Sequence, residues 1–313
     1  MQKPFRIALL GECMIELRGE MFGTMQESFG GDTLNTAVYL SRLAADSGIQ
    51  VLYATQLGTD PYSAAMTTAW KSESIDVSLL SSEGGRMPGL YTIQVDEHGE
   101  RAFYYWRDAS AAKGYFEGAS SPLEDAIDRL DGLYYSGISL AVLPEHGRER
   151  LFAFIERFRA RGGKVYFDNN YRPRLWSATP NVQAWYDRAW AHADMAMITL
   201  DDNQAIYDIP DEQVALDHAL SLPPTEVVVK RGSKPTLVRI KGQSLLEIPT
   251  FKVDKVVDTT GAGDSFAGGY LAARLQGVGP DISARSGNKI ASIVIQHPGA
   301  IIPKNAMPVF FFG

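Results

Sequence analysis

Two hydrophobic rhythms alternate along this chain. Short, nearly unbroken apolar runs end at glycine or polar residues, and stretches with apolar residues three and four positions apart follow them. The first kind covers 5–10, 51–57, 132–137, 164–168, 195–200 and 226–230; the second covers 32–43, 62–72 and 145–161. In 32–43 the stripe is Leu34, Ala37, Val38, Leu40 and Leu43, behind Gly30-Gly31-Asp32-Thr33, which supplies an N-cap candidate and leaves helix N–H groups free. Strands that are apolar on both faces, each followed by a helical stretch, predict an α/β fold: a doubly wound, mostly parallel sheet flanked by helices.

One stretch breaks this rhythm. Residues 90–107 form two alternating runs joined by a glycine-containing turn, the pattern of a β-hairpin. With the short run 14–17 it would make a small β-sheet covering one end of the main sheet. The expected organisation is one domain over 1–313 with a discontinuous β-lid from about 12–30 and 86–113. A period of two puts Phe103, Tyr105 and Arg107 on one face, which suits a polar, anionic ligand. The residues equally fit a hairpin that packs or dimerises through its aromatics.

Composition narrows the classes. A formal charge of −7 argues against nucleic acid, which selects basic surfaces, so each positioned Arg or Lys carries weight. No apolar run is long enough to cross a membrane and no signal peptide precedes the first strand; a soluble, cytoplasmic protein is expected. Cys13, the single cysteine, excludes an intrachain disulfide and reads as a buried, inert thiol. The five histidines lack metal-ligand spacing.

The densest chemical signal is Asp258-Thr259-Thr260-Gly261-Ala262-Gly263-Asp264-Ser265-Phe266, opening a small-residue helix. Gly261, Ala262 and Gly263 put no bulk in the way of an approaching phosphate, and the amides of a helix start make an anion hole. Phosphoryl transfer needs positioning, charge neutralisation and one carboxylate to take the acceptor proton, and Asp264 is placed for that. A helix cap would explain Asp264 as well. A dinucleotide-dependent dehydrogenase is excluded, because no Gly-x-Gly-x-x-Gly follows the first strand.

Residues 258–266 resemble the C-terminal signature of the ribokinase-like (pfkB) carbohydrate kinase family, and Phe29-Gly30-Gly31-Asp32-Thr33-Leu34-Asn35-Thr36-Ala37 resembles its N-terminal Gly-Gly signature. Residues 11–17, 103–107 and 167–176 are similar to the branch that phosphorylates 2-keto-3-deoxy sugar acids. The resemblance implies that Asp264 is the base, with Gly261, Ala262, Gly263 and Arg172 stabilising the transferring phosphate. It implies that Gly31, Asp32, Thr33, Leu34 and Asn35 hold the sugar acid, with Arg172 between it and the phosphate, while Tyr91, Tyr105, Trp106 and Arg107 close over it from the lid. Asn170, Tyr171, Arg172, Lys230, Arg231, Gly232, Ser233, Lys234, Pro235, Asn288 and 261–264 would bind ATP. ATP and magnesium are the implied cofactors, with a monovalent cation near Asp258, and the lid offers a route to a homo-oligomer. An arginine fork suits a carboxylate substrate in a net-acidic protein.

Taken alone, Arg172 and Arg174 fit surface ion pairs, and Tyr91 fits hairpin packing. Two rival readings remain: a kinase for a neutral sugar such as fructose or ribose, and a non-catalytic sensor on a kinase fold. Where many relatives carry Asn-x-x-Glu to organise magnesium, this chain reads Asp201-Asp202-Asn203-Gln204, so no metal residue is assigned. The apolar tail 307–313 has no periodicity.

Overall fold

The computed structural model describes residues 3–45, 47–95 and 101–308. The expected hairpin turn at 96–100 and the tail from 309 lie outside these residues. The main sheet has nine strands. From edge to edge they are Leu246–Ile248, Lys234–Ile240, Glu226–Arg231, Met195–Thr199, Lys164–Asp168, Gly132–Ser136, Phe5–Leu10, Ile49–Leu57 and Leu80–Ser82. The first two pairings are antiparallel and the remaining ones are parallel. The doubly wound expectation holds, with an antiparallel edge added after Arg231.

Period-two alternation divides each strand between two layers. Ala8 and Leu10 enter one core with Phe152, Phe154 and Trp190, while Ile7 and Leu9 enter the other with Leu34, Trp70 and Tyr270. Helices therefore cover both faces: Glu145–Ala160 and Val182–His192 on the first, Asp32–Leu43 and Ala262–Arg274 on the second. Among the described residues no helix is long and apolar enough to cross a membrane.

Four strands form the separate small sheet, in the order Met25–Gly30, Met14–Gly19, Leu90–Val95, Arg101–Trp106. The hairpin was legible from its alternation. The strand Met25–Gly30 was not, because its middle residues are polar and exposed. It pairs antiparallel with the preceding strand and delivers the chain directly to Gly31, the N-cap of helix Asp32–Leu43.

Candidate active site

Parallel strands bring their carboxyl ends to one edge of the sheet, where open α/β proteins bind ligands. In register, Ser136 stands opposite Asp168, and Thr199 opposite Lys230. The chain leaves Phe5–Leu10 for the lid at this edge, and two helices begin above it, Asp32–Leu43 and Ala262–Arg274.

The second helix starts at Gly261, whose φ of +73° is left-handed backbone that glycine adopts without strain. The Ala262 N–H turns back to the Thr259 carbonyl, which leaves the Gly263 and Asp264 amides at the mouth of the helix. A Cβ on Gly263 would stand 3.5 Å from Lys230 Nζ, so an ammonium lies beside this turn. Helix amides and ammonium together make an anion site.

Asp264 occupies the first turn, but it caps nothing in its own helix. Its carboxylate crosses to the other helix and accepts from Asn35 Nδ2 at 2.8 Å. Burial, then the nearby charge of Asp32, push its pKa up to about 7, against the Asn35 hydrogen bond that favours the ionised form. Asp32 is likewise raised, chiefly by burial. Asn170 Nδ2 donates to one Asp32 oxygen at 2.8 Å, while the other oxygen, and Asn35 Oδ1, are buried without a protein partner. Unpartnered buried acceptors are where ligand hydroxyls fit.

Lys230 Nζ lies 2.7 Å from Asp168, a carboxylate that sequence reasoning did not single out. Asp202, also raised by burial, accepts the Tyr171 N–H at 3.0 Å and stands 3.8 Å from Arg172. The Arg172 side chain is 52% exposed; its Nη1 donates to the Tyr171 carbonyl at 2.8 Å, and its other donors remain for a ligand.

Other expected site residues fall elsewhere. Thr33 and Leu34 are fully buried: the Thr33 hydroxyl meets Tyr53, and Leu34 lies in the core, so neither side chain reaches a sugar. Asn170, expected at ATP, instead holds Asp32, with its backbone at φ +22°. The Tyr171 ring packs edge-on against Tyr186, toward the core. Asn288, expected at the adenine, accepts from Thr236 and donates toward the Ile248 and Pro249 carbonyls, which uses its amide internally. Around the turn at Gly232, Arg231 donates to the Pro235 carbonyl, Ser233 accepts from Thr250 through its own carbonyl, and Lys234 pairs with Glu212 at the surface.

The lid also departs from expectation. Arg107 is buried and paired with Glu12, so its charge is answered inside the protein rather than held free for a substrate. The Tyr91 hydroxyl donates to Glu16, and its ring packs with Phe103 and Tyr105. Tyr105 is exposed, with Arg107 over its ring, and Trp106 is 63% exposed. Cys13 is buried and its thiol is pushed well up by burial, an inert group as expected.

Among the described residues no group of three or more His, Cys, Asp or Glu side chains could hold a metal by itself. Near Asp258, where a monovalent cation was expected, the carboxylate is already engaged: Oδ1 accepts the Thr260 N–H at 2.8 Å, Oδ2 the Gly299 N–H at 2.6 Å, and the cationic Arg18 stands 3.8 Å away.

The 2-dehydro-3-deoxygluconokinase of Escherichia coli K12 is 46% identical over 306 residues, covering 97% of this chain and 99% of that protein. The enzyme of the same name from Dickeya dadantii is 46% identical, covering 96% and 98%. The structure of Xylella fastidiosa fructokinase with bound ATP shares the fold, with a TM-score of 0.79 at 21% identity over 97% of this chain and 95% of that one. Residues 5–307 match the model of the pfkB family of carbohydrate kinases, and the chain belongs to that family.

Proposed function

We propose that this carbohydrate kinase transfers the γ-phosphoryl group of ATP to 2-dehydro-3-deoxygluconate, giving the 6-phospho product. The observation that carries the chemistry is Asp264. It is a carboxylate with a pKa near 7, fixed by Asn35 at the mouth of a glycine-started helix beside Lys230. A base poised near operating pH takes the acceptor hydroxyl proton as the phosphorus–oxygen bond forms. The Gly263 and Asp264 amides and Lys230 stabilise the charge on the transferring group, and Arg172 reaches it from the rim.

Asp32 and Asn35 offer their unpartnered oxygens to sugar hydroxyls. The substrate carboxylate is left to Arg172 and to whatever donors Arg107 keeps beyond its bond to Glu12. Magnesium supplies charge neutralisation on the triphosphate when bound, and Asp202 is the carboxylate that would hold its waters. The exposed aromatic edge of the lid, Tyr104 and Trp106, is the face we assign to a second copy of the chain, and light scattering tests that assignment.

The buried pairing of Arg107 favours one competing reading, a neutral ketose, since that arginine is not a free cation. ADP release measured across sugar acids and neutral sugars separates the two. A rate on 2-dehydro-3-deoxygluconate well above that on fructose is expected, and preference for fructose overturns the acid assignment. Asp264→Asn is expected to keep ATP binding and to lower kcat by about 10³-fold or more, the scale of a lost catalytic base. A variant retaining a tenth of the rate removes Asp264 from that role.

A further inference from the structure

The chemistry above makes no use of Arg18, yet Arg18 joins its two halves. It projects from the lid strand Met14–Gly19 and spans a groove of about 250 Å³ between the lid and the loop 298–301. Its Nη2 lies 3.3 Å from Glu16 on the lid and 3.8 Å from Asp258, in the loop that leads to Gly261.

Both anchors are built into the protein. The Glu16 side chain is 7% exposed and also accepts the hydroxyls of Tyr91 and of Ser28, the latter at 3.1 Å. Asp258 is buried, and its carboxylate takes the Thr260 and Gly299 amides, so it fixes the approach to the anion hole from both flanking segments. Gly299 leaves space for the guanidinium: a Cβ there would lie 3.2 Å from Arg18 Nη2. The Asp258 oxygens are already hydrogen-bonded and already faced by a cation, so a bound monovalent ion would meet like charge at the same carboxylate.

We propose that Arg18 is the resident cation of the anion-hole loop, standing where a monovalent ion would be expected, and that through Glu16 and Tyr91 it couples lid position to that loop. Arg18 is a positioning residue in this scheme, acting through Asp258. The coupling role rests on the kinase reading; the loop-ordering role does not.

Arg18→Met keeps the bulk and removes the charge. It is to be compared with the wild type in potassium, sodium and tetramethylammonium buffers, by kinetics and by hydrogen exchange at Thr260 and Gly299. The wild type is expected to run within about twofold in all three salts, while Arg18→Met loses about tenfold in kcat, the scale of one coupled ion-pair network, and regains part of it with added guanidinium. Exchange at both amides is expected to accelerate in the variant. A wild type that depends on potassium, or a variant with wild-type rate and exchange, overturns the proposal. Should Arg18→Met fail to fold, Arg18→Gln serves, since it keeps polar donors without the charge; wild-type exchange at Gly299 in that variant also overturns it. If no acceptor releases ADP, the kinase reading fails while the exchange measurement still decides the loop role.

Discussion

Asp264 is a residue whose environment changes its chemistry. In water a carboxyl group titrates near 3.8; here burial and the charge of Asp32 bring it to about 7. Because the base must be ionised, kcat/KM is expected to rise with pH and level off above about 7. Asp32→Asn removes the neighbouring negative charge, so the acid limb moves to lower pH even as sugar binding weakens. A pH profile whose acid limb stays in place would show that Asp32 does not set the Asp264 titration. The same shift has a stability sign. With its folded pKa above its unfolded one, Asp264 binds its proton more tightly in the folded protein, so its contribution to stability declines as pH rises from about 4 to about 7.

The helix Ala262–Arg274 carries both the proposed anion hole and the proposed base, and its packing sets where they stand. A Cβ on Gly268 would lie 2.6 Å from Tyr39 Cβ and 3.0 Å from the Leu40 backbone nitrogen. A Cβ on Gly269 would meet Ile290 Cγ2 at 2.6 Å. The helix is therefore seated between Asp32–Leu43 and Pro280–Val294 by missing side chains. Gly268→Ala gains about 0.5–1 kcal/mol of helix propensity, but overpacking costs about 1–3 kcal/mol, and a backbone neighbour cannot yield as a side chain can. We expect a net loss of about 1 kcal/mol in urea unfolding and a lower kcat, as Asp264 shifts from Asn35. A more stable variant of unchanged kcat would mean that the helices part without consequence. The small residues after Asp264 were legible as a helix; that two glycines serve helix contacts was not, because the partners lie 20 to more than 200 positions away.

At the scale of the molecule, the lid is tied to the main sheet by a buried ion pair. Glu12 follows the strand Phe5–Leu10, and Arg107 follows the last lid strand. Removing one partner of such a pair leaves the other buried and uncompensated, at about 3–5 kcal/mol, whereas replacing both is far milder. Arg107→Ala is accordingly expected to be destabilised by denaturant titration, and Glu12→Gln with Arg107→Met to recover most of the loss. If Arg107→Ala unfolds like the wild type, the pair does not hold the lid. Loss of sugar-acid activity in Arg107→Ala alone thus says little about substrate contact; activity of the double variant says more.

The alternation of apolar runs and helical stripes was sufficient to predict the doubly wound sheet, and the string from Asp258 to Phe266 was sufficient to mark the glycine-started helix and the candidate base, because strand period, helix period and glycine backbone freedom are local properties. What surrounds those features was not local. The sequence places Asn35 and Asp264 more than 200 residues apart, and Arg18 as far from Asp258; only folding brings each pair within reach. The cations changed most. Arg107 read as a free charge facing a substrate and is paired with Glu12, while Arg18 read as nothing and bridges the lid to the anion-hole loop. Charge type is written in the sequence, but whether a charge is answered depends on what stands within a few ångströms, and that is decided by tertiary packing alone.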